Sequence, residues 1–530
     1  MHLRSPLPAP EVPQAPLQHL VLRRAKDLPD KTALIDLGTG RHLTFHALEA
    51  AVRRVAGNLA ARGFRKGDVL ALATPNCAEF VLAFHGAGLL GGVVTTLNPA
   101  YTAEEMAAQL KDAGATRLLA HPVIAEKARE AARLANLAEL YATHPEPGFI
   151  PFAELEAEGP PPPEVAIDPH ADLMALPYSS GTTGLPKGVM LTHANLASNV
   201  LQNVACGLTE RDVLLGVLPL FHIFGLNVLM NTGLSIGATL VLMPRFDLED
   251  FLGAIQMHRA TYAFVVPPIL LALAKHPLVA KYDLSSLDRL LSGAAPLGDG
   301  LAREVEARLG CAVMQGYGLT ETSPVALVSA LDGSMPKDAA GMPVAGTEAR
   351  IVDLETGAEA APGARGELWI RGPQVMKGYL NRPEDTAHVL DAEGWFHTGD
   401  IARADEAGRV FVVDRLKELI KVKGMQVAPA ELEAILLTHP AVADAAVIPI
   451  PDEKAGERPK AYVVLKPGQQ AGAEALIAYA AERTAPHKRI AEVAFAATIP
   501  KSPSGKILRR LLVEEERAQR TWEPERGGGL

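Results

Sequence analysis

Only three cysteines occur in 530 residues, Cys77, Cys206 and Cys311, each more than a hundred positions from the next. Spacing that wide makes no metal or redox pair, and so few thiols imply no disulfide framework; a reducing interior fits. Long runs of one charge are also missing. The 51 Lys and Arg against 61 Asp and Glu give a net charge of −10 with no basic block, which argues against nucleic acid as a partner. The N-terminal MHLRSPLPAPEVPQAPLQHL has many prolines and no continuous apolar region, so no secretory signal is expected and cytoplasmic residence is the default. Val213 to Pro244 carries no Asp, Glu, Lys or Arg and is long enough to span a bilayer. Pro219, His222, Asn227, Asn231, Gly233 and Gly237 interrupt it, so it reads as buried strands and helix of a soluble core, not a membrane span. No GxxxxGK[ST] spacing is found, which disfavours a kinase or motor NTPase. No internal repeat is visible either.

What is there begins with length: a chain this long exceeds one core, so two or more domains are expected. Through most of the first 300 residues, apolar β-rich runs alternate with Ala/Glu-rich helical segments, as in GATLVLMP, FDLEDFLGAIQMHRA and TYAFVVPP. That alternation predicts α/β layers. Thr102 and Glu105 stand at capping-box spacing at the start of TAEEMAAQLKDAGA. Gly148 to His170, with Gly159 followed by four prolines, reads as a loop or surface linker. After about residue 345 the short runs ARIVDL, GELWIRG and GRVFVVD suggest a small β-rich subdomain. A helix, two strands, an Ala-rich helix and EVAFAATIP then predict a separate α+β domain of about 110 residues. The expected domains are 1–415 and 416–530.

One stretch concentrates unusual chemistry. YSSGTTGLPKG, from Tyr178 to Gly188, offers three glycines whose backbone can turn amides inward, and hydroxyls on Ser179, Ser180, Thr182 and Thr183. Such a loop can line an anion as nest-type phosphate loops do, with Lys187 adding a point charge. A solvated Gly/Ser/Thr loop with an exposed lysine has the same composition.

The full string YSSGTTGLPKGVMLTHANL resembles the phosphate-binding signature of the adenylate-forming superfamily, and it does not stand alone. SGAAPLG from Ser292, QGYGLTET from Gln315, GWFHTGD ending at Asp400, DRLKELIKVKG from Asp414 and SPSGKILRR from Ser502 follow in that family's order. The likeness covers essentially the whole chain and is closest to the coumarate-ligase and luciferase branch. It implies a large N-terminal domain of layered α/β subdomains with a small β-rich subdomain, and a small mobile C-terminal α+β domain.

The resemblance implies two half-reactions. A carboxylate attacks the α-phosphorus of ATP to give acyl-adenylate and pyrophosphate; the CoA thiol then displaces AMP. Two like charges about 4 Å apart repel by about 4 kcal/mol at an effective dielectric near 20, so cations must face the reacting oxygens. Lys187, Mg²⁺ and Lys506 fill that need by resemblance, with Glu321 as the magnesium ligand. Ser179, Ser180, Gly181, Thr182, Thr183 and Gly184 would hold phosphate, and Thr320 the α-phosphate. Ala294, Gln315, Gly316 and Tyr317 would hold adenine, with stacking on the tyrosine ring. Asp400 and Arg415 would take the ribose. Lys417 matches the hinge about which the small domain turns between the halves, and Lys421, Lys423, Gly424 and Gln426 belong to the segment that then faces CoA.

His222 matches the position that guards the acyl pocket, with Phe224, Val228, Leu291, Ala295, Pro324 and Val325 lining it. Those residues are apolar or small, so the acid carries an apolar tail or an aromatic ring: a fatty acid or a 4-coumarate-like acid. Peptide-synthetase domains place an aspartate near the FHIF stretch, and none occurs between Asp212 and Asp247, which speaks against an amino acid. About two dozen residues follow Lys506, too few for a carrier domain, so free CoA is the expected acceptor. The alternatives are a luciferase-like or other adenylating enzyme of this fold, or a non-catalytic nucleotide-binding homologue. The last would be expected to have lost Lys187, Glu321 or Lys506, and all three stand in the sequence. Dimers occur in the family, which leaves a homodimer open.

Overall fold

The computed structural model describes residues 1–12, 14–179, 186–295, 297–330, 335–422, 425–452, 455–502 and 505–521, with the side chains of 426, 520 and 521 left aside. The chain groups into two compact units: Met1, 351–368 and 398–530 form one, and 2–350 with 369–397 the other. The division falls inside strands Glu348–Val352, Arg365–Arg371 and Phe396–Ala404, and the expected boundary at 415/416 lies within the first unit.

The larger unit holds two nine-stranded sheets. In one, Ala312–Gly318, Arg289–Ser292, Tyr262–Val265, Val213–Gly216, Thr239–Leu242 and Thr32–Asp36 lie side by side and parallel; the middle strands are short and almost wholly buried, while Ala312–Gly318 becomes partly exposed towards its glycine-rich end. Parallel strands need crossovers, and helices such as Leu248–His258 and Pro267–Lys275 supply them. The strand, helix, strand order expected of residues 239–265 is what forms. The second sheet has a parallel core around Val69–Ala73 and Val93–Thr96 and turns antiparallel at strand Lys187–Thr192, with Tyr178–Ser179 beyond it at the edge. The capping box at Thr102 closes in both directions: its hydroxyl accepts from the Glu105 amide at 3.2 Å, and Glu105 Oε2 accepts from the Thr102 amide at 2.8 Å.

The uncharged stretch 213–244 folds as strand Val213–Gly216, a π-helix Phe224–Asn231, helix Thr232–Ile236 and strand Thr239–Leu242. No helix among the described residues is long and apolar enough to cross a membrane. The linker expected over 148–170 is partly ordered: Ile150–Pro151 adds a strand to the sheet and Ala153–Glu156 makes a helical turn, because Phe152 and Leu155 bury against the core. All three cysteines are free thiols, and burial pushes Cys206 up to about 11 and Cys311 up to about 12.

In the smaller unit, helix Pro429–Leu437, strands Val442–Asp452 and Gly456–Leu465, helix Ala473–Ala481 and strand Glu492–Phe495 follow the expected order around a core of Leu432, Leu436, Val447, Val463 and Leu476. A closing helix, Arg509–Thr521, was not anticipated from the sequence. Strand Phe396–Ala404 pairs with Val410–Arg415, with Asp400 opposite Arg415.

Candidate active site

In the larger unit, four neighbouring parallel strands, Val213–Gly216, Tyr262–Val265, Arg289–Ser292 and Ala312–Gly318, end on one edge. Ligands of open parallel sheets bind beyond such carboxyl ends. There the segments 219–224, 293–295 and 315–322 bring together His222, Phe224, Ala294, Ala295, Gln315, Gly316, Tyr317, Thr320 and Glu321. His222 is half-buried; its amide donates to Pro219 O at 3.1 Å and its Nδ1 accepts from the Phe224 amide at 3.4 Å. The Phe224 ring meets Phe264 edge-on at 6.0 Å and lies where a side chain at Gly293 would stand, 2.7 Å from that Cβ position. Val228, Leu291 and Val325 are buried beside these rings.

Ala294 adopts φ 67°, a left-handed conformation that costs a non-glycine residue about 1–2 kcal/mol. The turn after Ser292 is thus held against local preference by its surroundings. Gln315 is one brace: its amide nitrogen donates to Leu297 O at 3.2 Å and to Lys337 O, and its oxygen accepts from the Leu297 amide at 3.2 Å. Gly316 and Gly318 differ in kind. A Cβ at Gly316 would meet nothing nearer than 3.7 Å, so packing leaves room there for a ligand. At Gly318 a Cβ would land 2.0 Å from Pro324 O, so that glycine serves the backbone rather than the approach of a base.

Glu321, 7% exposed, lies in the turn Thr320–Thr322. Its Oε1 accepts from Ser179 Oγ at 2.9 Å and from the Tyr379 hydroxyl at 2.8 Å. Strand Lys187–Thr192 makes this possible, because it pairs with Tyr178–Ser179 and also with Gly378–Tyr379. Burial first, then the Glu321 carboxylate, pushes the Tyr379 phenol well above its ordinary range, so it stays a donor. Lys187 sits 5.2 Å over the Tyr379 ring and pairs with Asp385 at 3.0 Å. Magnesium takes one or two carboxylates and completes its shell with substrate phosphates and water, and among the described residues no cluster of three metal-binding side chains occurs. A single buried carboxylate oriented by two hydroxyls beside a lysine fits that pattern. Ser180, Gly181, Thr182, Thr183 and Gly184 lie outside the described residues.

In the smaller unit, Asp400, 4% exposed, receives Arg415 Nε at 3.2 Å across the strand pair. Lys506 belongs to the same unit, in a turn where the Ser502 amide donates to Lys506 O at 2.8 Å and the Lys506 amide donates to Ser502 Oγ at 3.2 Å. Burial, then the Arg415 charge, pushes the Lys506 ammonium down to about 8, with Glu418 and Asp400 pulling the other way. Lys417 is exposed in the turn after Arg415, where the Glu418 amide donates to Arg415 O at 3.0 Å. Lys421 is exposed in strand Ile420–Val422, its amide bonded to Glu457 Oε2 at 2.8 Å. Lys423, Gly424 and the Gln426 side chain lie outside the described residues.

Tyr379, Asp385 and Phe264 join the site without having been singled out in the sequence. Each is brought in by strand register or by a crossover from far along the chain, and none stands in a motif string. The FVV run before Pro267 was the one local hint, since its strand belongs to the same sheet edge.

Set beside known proteins, residues 21–380 match the sequence model described as AMP-binding enzyme, and residues 431–506 match that of the AMP-binding enzyme C-terminal domain. The chain is 44% identical over 519 residues to 4-coumarate–CoA ligase 2 of Petroselinum crispum, covering 96% of this chain and 95% of the relative. It is 44% identical over 521 residues to 4-coumarate–CoA ligase 3 of Arabidopsis thaliana, covering 96% and 92%. Among solved structures, o-succinylbenzoate CoA synthetase from Bacillus subtilis with its acyl-adenylate intermediate superposes with TM-score 0.82 at 33% identity, covering 97% of this chain and 99% of that one. An anthranilate CoA ligase in complex with anthranoyl-AMP gives 0.88 at 27% identity over 97% and 99%.

Proposed function

Because the chain belongs to the AMP-binding enzyme family and is an AMP-forming acid:CoA ligase, we propose that its acid is aromatic and 4-coumarate-like, and that the residues gathered above carry the two half-reactions. The observation that supports this substrate most is the 44% identity over nearly full length to ligases named for 4-coumarate. The edge-on Phe224–Phe264 pair and the space left at Gly316, at the ends of neighbouring strands, support it from the site, since a planar ring suits apolar and aromatic surroundings.

In this reading the carboxylate enters past His222 and lies among Phe224, Val228, Leu291, Ala295, Pro324 and Val325. One carboxylate oxygen attacks the α-phosphorus, the bond to the β-phosphate oxygen breaks, and pyrophosphate leaves. Lys187 is the fixed cation on the phosphate side, oriented by Asp385 and the Tyr379 ring. Thr320 and the hydroxyls of Ser180, Thr182 and Thr183 hold phosphate oxygens, while the Ser179 hydroxyl is engaged with Glu321. Magnesium, when bound, offsets phosphate charge, and Glu321 would hold it. Tyr379 and Ser179 keep the Glu321 carboxylate aimed, which spares reorganisation in the reaction itself. Ala294, Gln315, Gly316 and Tyr317 take the adenine; Asp400 and Arg415 take the ribose hydroxyls. Lys506 bridges the acid and the nucleotide during adenylation only.

In the second half the CoA sulfur attacks the acyl carbonyl carbon and AMP leaves. The small domain turns about Lys417 between the halves, and Lys421, Lys423, Gly424 and Gln426 then face CoA. We read the enzyme as cytoplasmic, with no nucleic-acid partner, and as either a single chain or a homodimer. Pyrophosphate release across a panel of cinnamic, benzoic and C8 to C16 fatty acids, with and without CoA, tests the substrate. Hydroxycinnamates should give the highest kcat/KM; a fatty acid ahead of every aromatic acid would overturn this assignment.

A further inference from the structure

Lys506 is carried by a turn that is fastened at both ends to one strand. On one side Lys501 Nζ pairs with Asp444 at 2.6 Å; on the other Arg509, first residue of helix Arg509–Thr521, donates through Nε to Val447 O at 3.3 Å. Asp444 and Val447 both lie in strand Val442–Asp452. Arg509 does more than fasten. Its Nη2 donates to both oxygens of Glu433 at 2.9 and 2.7 Å, and its Nη1 donates to Glu418 Oε2. Glu433, on helix Pro429–Leu437, also accepts from the Val447 amide at 2.7 Å. One largely buried guanidinium thus neutralises two carboxylates, with Asp414 a third that favours its charge.

Glu418 is the carboxylate that matters. It stands in the turn after Arg415 and attracts the Lys506 ammonium, as Asp400 also does, while Arg415 and Arg509 repel it. Yet among the described residues Lys506 makes no ion pair, and Glu418 is engaged by Arg509. Arg509 reaches Glu418 through Nη1 alone, but its planar, always-charged guanidinium is anchored on Glu433 through Nη2, so it holds Glu418 in a fixed place that a flexible ammonium would have to reach for. We propose that Arg509 is a positioning residue for adenylation: by holding Glu418 and Glu433 in one cluster, it keeps Glu418 away from the Lys506 amine and fixes the turn that presents that amine to the acid. The proposal rests on the adenylation role given to Lys506 above.

The test needs a variant that folds, since removing Arg509 alone leaves Glu433 buried without a cation. Arg509→Gln with Glu433→Gln removes one charge of each sign. Its acid-dependent pyrophosphate formation should fall about 100-fold, the loss typical of a displaced reacting group, while thioester formation from preformed acyl-adenylate stays within about twofold of wild type. Adding Glu418→Gln should restore adenylation about tenfold because the competing carboxylate is gone. Arg509→Lys, which retains a cation for Glu433, serves if the double variant does not fold: adenylation falls and Glu418→Gln again restores it. Unchanged adenylation, equal loss in both halves, or loss that Glu418→Gln does not relieve would each overturn the proposal. Lys506→Ala run in parallel separates the two ideas. If it spares adenylation, the role of Lys506 fails; if it abolishes adenylation while the Arg509 variants do not, this inference alone fails.

Discussion

Raising the pH from 7 to 9 should switch off adenylation through one side chain. Lys506 is pushed down to about 8 by burial and by Arg415, from an ordinary 10.5. With a pKa near 8, about 90% of the amine is protonated at pH 7 and about 10% at pH 9, so a step that requires the ammonium slows about ninefold. A lysine at 10.5 would lose only about 3% over the same range. The assay is acid-dependent pyrophosphate release without CoA, read as kcat/KM for ATP so that it reports the free enzyme. Omitting CoA keeps its thiol out of the profile. Lys506→Arg is the control, because a guanidinium stays charged throughout and the alkaline limb should vanish whatever the absolute rate. Stability runs in the opposite direction. The folded chain holds this group's pKa below its unfolded value, so the cost of burying the charge is present in full below pH 8 and is relieved as pH climbs from about 8 towards 10.5. A flat wild-type profile to pH 9.5, or a limb near 8 that survives Lys506→Arg, would refute the reasoning.

Other variants separate packing from binding. Gly316→Ala should fold with an unchanged Tm, since its Cβ meets nothing within 3.7 Å, but should raise KM for the acid or ATP about tenfold by filling ligand space; titrating each substrate checks it. Gly318→Ala should instead destabilise by about 3 kcal/mol or more in denaturant melts, because its Cβ would meet Pro324 O at 2.0 Å. Tyr379→Phe removes one of two hydroxyls on Glu321 and should lower adenylation about tenfold, with the apparent affinity for magnesium in pyrophosphate release falling alongside.

The parts of this site that the sequence announced are those built from neighbours along the chain. The motif strings fall at strand ends, where glycine and hydroxyl residues make turns, and the short apolar runs on either side of the helical segment FDLEDFLGAIQMHRA were enough to give the strand, helix, strand order of 239–265. Glu321 and Lys506 came from the same local strings. What orients them did not. Tyr379 reaches Glu321 only because residues 378–379 pair with 189–190, a register that nothing within either segment specifies. Arg509 stood in the string SPSGKILRR, yet its partners lie 62 to 91 positions away, and surface-like charge gave no sign that they would be buried together. Gly316 and Gly318 meet the same limit: a glycine spared for a ligand and one squeezed by a carbonyl look alike until the opposing backbone is seen.

The π-helix over Phe224–Asn231 leaves a mark on how the acid pocket can change. Its wider turn, seen in the Thr232 amide donating to Asn227 O five residues back, carries one residue more than an α-helical turn would. Asn227 anchors that turn to Ser323 O at 2.6 Å and Leu196 O at 3.2 Å. Dropping a single residue would let ordinary α-helical bonding resume over that turn while the helix on either side keeps its facing, because the turn sheds only the residue it has in excess. Side-chain swaps can only resize this wall, whereas a one-codon loss would tighten its backbone without turning either end.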